Sequence, residues 1–111
     1  MRQGKVLYKG ITAGMLTETN DGEYVFQYDG KYVDQHPNDF ITFTMPVTSV
    51  PYSDKRLFPF FEGLIPEGWL LEIASKSWKI NKNDRMGLLL ACCQNCIGAV
   101  SVEPILNEDG E

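Results

Sequence analysis

The sequence is poor in the residues that most chemistry uses. It holds one histidine, His36, and three cysteines, Cys92, Cys93 and Cys96, all close together. An odd, tightly spaced set is not a secreted disulfide framework, and adjacent Cys92 and Cys93 would form a strained pair. A zinc site would need a fourth ligand, and His36 lies far off in a turn. The thiols therefore read as small buried hydrophobes, and no metal is expected. A nucleophilic cysteine wants a histidine beside it, and His36 is poorly placed for that. No glycine-rich loop is followed by Lys and Ser or Thr, which excludes a P-loop. The glycine-rich loop, strand lysine, catalytic Asp–Asn set and metal-binding Asp of a protein kinase are missing too. Paired carboxylates, Asp21 with Glu23 or Glu67 with Glu72, read as solvated faces. Neither catalysis nor a cofactor is expected of this chain.

Long apolar runs are also absent. No segment approaches the ~20 residues needed to span a bilayer. The start, "MRQGKVLYKG", lacks the apolar stretch of a signal peptide. A cytoplasmic protein is the expectation. There is no basic excess either. Ten Lys and Arg stand against fifteen Asp and Glu, a formal charge of -5. Direct binding to DNA or RNA, which needs clustered cations to neutralise phosphates, is not expected. The acidity suits a basic partner, and it also simply aids solubility.

What remains is an ordinary core-forming composition: 43% apolar and 23% charged over 111 residues. That is one domain by size, residues 1–111, with a polar tail from about 105 to 111. The first half reads as strands and turns. "KVLYKG" and "ITAGMLTET" are short strands, with "NDG" as a turn. In "EYVFQYDG", Tyr24, Phe26 and Tyr28 share one face at period two. "KYVDQHPND" reads as a turn broken at Pro37, and "FITFTMP" as a fourth strand ended by Pro46. The second half turns helical. Pro59 suits the first position of a helix, where its missing N–H costs nothing. Phe60, Phe61 and Leu64 share a side, and Pro66 with Gly68 closes that helix. A second helix is read over 69–78, with Leu70, Leu71, Ile73, Ala74 and Trp78 on one face. Asn83 can cap a third, in which Met86, Leu89, Leu90 and Cys93 fall at i, i+3, i+4 and i+7. "GAVSVEP" reads as a strand returning to the sheet. The fold class is α+β: a small antiparallel sheet or partial barrel, then about three short helices and a C-terminal strand.

Trp69 stands apart from this pattern. At about 100° per residue it lies roughly 140° from the apolar centre of the 69–78 helix, whereas Trp78 lies inside it. Two readings are open. Trp69 folds back over the Pro66 turn, or it is displayed as an interface anchor of the kind worth ~2 kcal/mol or more in a partner's pocket.

Two motifs carry a resemblance. "LFPFFEGLIPEGW" resembles the "FF-x-N-LLP-[DE]-G" segment of the N-terminal subdomain of HipA-like Ser/Thr kinase toxins. "CQNCIGAVSVEP" resembles the "G-x-D-x-[VI]-GA[VL]-x-[LV]-x-P" segment that closes the same subdomain. Order and spacing agree over nearly the whole chain. Gly63 stands where Asn is common, and Gln94-Asn95 replaces the Gly-x-Asp lead-in. In HipA-like chains a kinase core follows, whereas this sequence stops soon after the second motif. In that it resembles the HipS-type antitoxins of tripartite HipBST systems. The resemblance implies an antitoxin that neutralises a truncated HipT-type kinase, with HipB as the DNA-binding component of a ternary complex. It leaves open a module that completes the kinase fold or bridges it to HipB without inhibiting. On this reading Pro66, Glu67, Gly68, Trp69 and Glu72 form the kinase-facing segment. A small-molecule enzyme or binder using the sheet is the third possibility.

Overall fold

The computed structural model describes residues 2–65, 76, 81, 83–92 and 99–105. Five strands form one open antiparallel sheet: β1 (Arg2–Tyr8), β2 (Ile11–Glu18), β3 (Tyr24–Tyr28), β4 (Tyr52–Asp54) and β5 (Val100–Ile105). Their order is β4-β3-β2-β1-β5. Three helices are described: α1 (Gly30–Gln35), α2 (Pro59–Glu62) and α3 (Arg85–Cys92). The class is α+β, and the sheet is not a closed barrel: among the described residues β4 and β5 stand at its two edges.

β1 and β2 meet in a two-residue turn, with Lys9 at φ 52° and Gly10 at φ 82°. Positive φ at both central positions matches the turn's twist to that of the strands. Register slips between Val6 and Leu7, because Val6 faces Gly14 while Leu7 faces Thr12. The extra residue, Ala13, is fully buried. Its carbonyl accepts from the Asp29 backbone N–H at 2.8 Å, tying the bulge to the start of α1.

Period two sets the core face. Phe26 and Tyr28 are buried and Gln27 is exposed, as the alternation predicts. Leu16 faces Phe26 across β2–β3, and Val6 faces Val102 across β1–β5. Phe61 of α2 and Met86, Leu88 and Leu89 of α3 complete this core without exposure. The Phe61 ring lies 5.7 Å from that of Phe26. "GAVSVEP" does return to the sheet, antiparallel to β1. Pro59 does open α2.

Three expectations need correction. "FITFTMP" is a loop with a turn at its centre, Met45 N–H to Thr42 C=O at 2.9 Å; the fourth strand is Tyr52–Asp54. "KYVDQ" is helix α1, capped by Asp29, whose carboxylate accepts from the Lys31 N–H at 3.2 Å. One helix thus precedes β4 instead of following the sheet. The cap of α3 is Asp84, not Asn83: the Asp84 carboxylate accepts from the Gly87 N–H at 3.1 Å. The shorter reach from the residue directly before Arg85 decides between them. The helix read over 69–78 lies outside the described residues apart from Lys76, which is helical.

Candidate partner-binding surface

Pro66, Glu67, Gly68, Trp69 and Glu72 all lie outside the described residues. The described elements nearest them in sequence are firmly held. Phe61 and Ile65 are buried before that segment. Glu62 on α2 accepts from Arg85 on α3, at 2.9 Å from Nη2 and 3.2 Å from Nε. Arg2 on β1 forks onto Asp84 at 2.8 and 2.9 Å and also donates to Glu18 at 2.7 Å. The Arg2 bond is the main reason the Asp84 carboxyl sits below its ordinary range, and Asp84 in turn raises the guanidinium's pKa. These ion pairs join α2 to α3 and α3 to the sheet.

The loop between α1 and β4 was missed as a feature of its own. It lacks regular structure, yet side chains of the sheet and of α1 hold its backbone at five points. The Tyr32 hydroxyl donates to the Asp39 carbonyl. Tyr28 donates to the Met45 carbonyl and accepts from the Ile41 N–H at 3.1 Å. Tyr52 donates to the Pro46 carbonyl at 2.6 Å, and the Gln27 amide to Ser49 at 3.3 Å. Burial pushes the Tyr28 phenol up to about 12, and burial raises Tyr32 and Tyr52 as well. Ile41 and Met45 turn into the core. Phe40, Phe43 and Val50 turn outward, at 42%, 77% and 65% exposure. A hint was present in the sequence: apolar residues inside a stretch punctuated by Pro37, Pro46 and Pro51.

Beside this loop lies a cavity of about 360 Å³ between Thr44–Met45, edge strand β4 and the start of α2. Tyr52, Phe58 and Phe60 make its apolar wall, and Asp54 contributes a carboxylate. A second depression of about 290 Å³ lies along β2 and β3 near Asp29. Its carboxylate is already engaged in capping α1. Among the described residues, no three His, Cys, Asp or Glu side chains gather as a metal site. No buried side-chain N or O there lacks a partner. No described helix is long and apolar enough to cross a membrane.

Taken together, these features define an α+β domain with an apolar loop and groove on its described surface. The chain belongs to the HipA N-terminal domain family, whose profile matches residues 4–103. It is 31% identical over 103 residues to an uncharacterized protein of Haemophilus influenzae, covering 93% of this chain and 92% of that one. A solved N-terminal domain of HipA toxin superposes with a TM-score of 0.73 at 26% identity, covering 97% of this chain and 96% of that one. Membership places the chain in the context of HipA-like toxin–antitoxin modules.

Proposed function

We propose that this protein is a HipS-type antitoxin: it binds a HipT-type Ser/Thr kinase and lowers its activity by contact, without catalysis of its own. The observation that carries this reading is the family match, together with a relative that the same domain spans over 92% of its length. The match runs over nearly the whole length of both chains, which suits a domain supplied separately from a kinase core. A domain that packs in cis in one protein keeps a complementary surface when supplied in trans. It then has to bind without the effective concentration that a linker provides. A standard interface of ~1,600 Å² is within reach of a domain this size. In this reading Trp69 leads the segment Pro66, Glu67, Gly68, Trp69 and Glu72 against the kinase, in the cytoplasm, and HipB joins as a third component.

The test is phosphorylation by a purified HipT-type kinase with and without this chain, in the absence of HipB. The rate should fall as the chain is titrated in. Trp69→Ala should fold and inhibit at least tenfold less well, the scale of a lost aromatic anchor. Binding without any loss of rate would favour the bridging module. No binding would end the proposal.

A further inference from the structure

We draw no further inference here: the strongest candidate, the apolar loop of residues 39–50 with the groove beside it at β4 and the start of α2, carries nothing because no feature of the structure shows what covers it, the exposed Lys31, Lys55 and Arg56 at its flanks balancing Asp34, Asp39 and Asp54.

Discussion

At the residue scale, Gly87 shows how position reverses a general preference. Glycine inside a helix costs about 1 kcal/mol relative to alanine, so Gly→Ala ordinarily stabilises. Here a Cβ at Gly87 would lie 2.4 Å from Asp84 Oδ2 and 3.2 Å from Arg2 Nη1. The Asp84 carboxylate has little freedom to yield, because it caps α3 and holds the Arg2 fork at once. Gly87→Ala should therefore lower the thermal midpoint, by on the order of 1 kcal/mol of lost cap and ion pair. Calorimetry checks the sign; a raised midpoint would mean that the carboxylate moves aside freely. The sequence makes Asp84 and Gly87 visible only as a helix start. Nothing in it points to Arg2, 82 positions earlier, as their partner.

At the scale of elements, legibility follows what each signal depends on. The strands of the first hairpins and the buried face of α3 depend on local periodicity, and Phe26, Tyr28, Met86 and Leu89 were legible in the sequence. β5 was legible because "GAVSV" alternates. α1 is a single turn and a half, too short for its one buried residue, Tyr32, to reveal a period. "FITFTMP" has strand composition, but composition describes a surface that fits a neighbouring strand, and β3 instead pairs with Tyr52–Asp54. What fixes the loop instead is a set of tyrosine hydroxyls reaching across up to 17 residues, a relation no window of sequence displays. The candidate surface was illegible for the same reason, and the segment around Trp69, read from the sequence, lies outside the described residues. Tyr28→Phe tests the loop's anchorage. It leaves two buried backbone groups, Met45 C=O and Ile41 N–H, without their partner. It should cost roughly 1–3 kcal/mol and speed hydrogen exchange at Ile41. Unchanged exchange at that amide would show that the loop is held by packing alone.

At the scale of the whole molecule, the pH range of stability has two separate limits. Asp84 is more acidic in the fold than in the unfolded chain, mainly through Arg2. Its contribution is complete above the ordinary carboxylate pKa of about 4 and is lost as pH falls through the lower folded value. Tyr28 behaves oppositely: burial raises it to about 12, so its contribution is complete below the unfolded value near 10 and disappears as pH rises through about 12. Urea melts across pH should give a plateau with an acid limb and an alkaline limb. Asp84→Asn should flatten the first and leave the second; a change in the alkaline limb would contradict the assignment. The topology has one more consequence, for biosynthesis. β1 and β5 are neighbours although nearly a hundred residues separate them. While a ribosome is still translating, β1–β4 can already pair, but the outer side of β1 keeps unpaired amides until Ile105 has emerged. Through that interval the nascent polypeptide carries an adhesive strand edge, so slow translation of the codons leading up to β5 would prolong its exposure to aggregation.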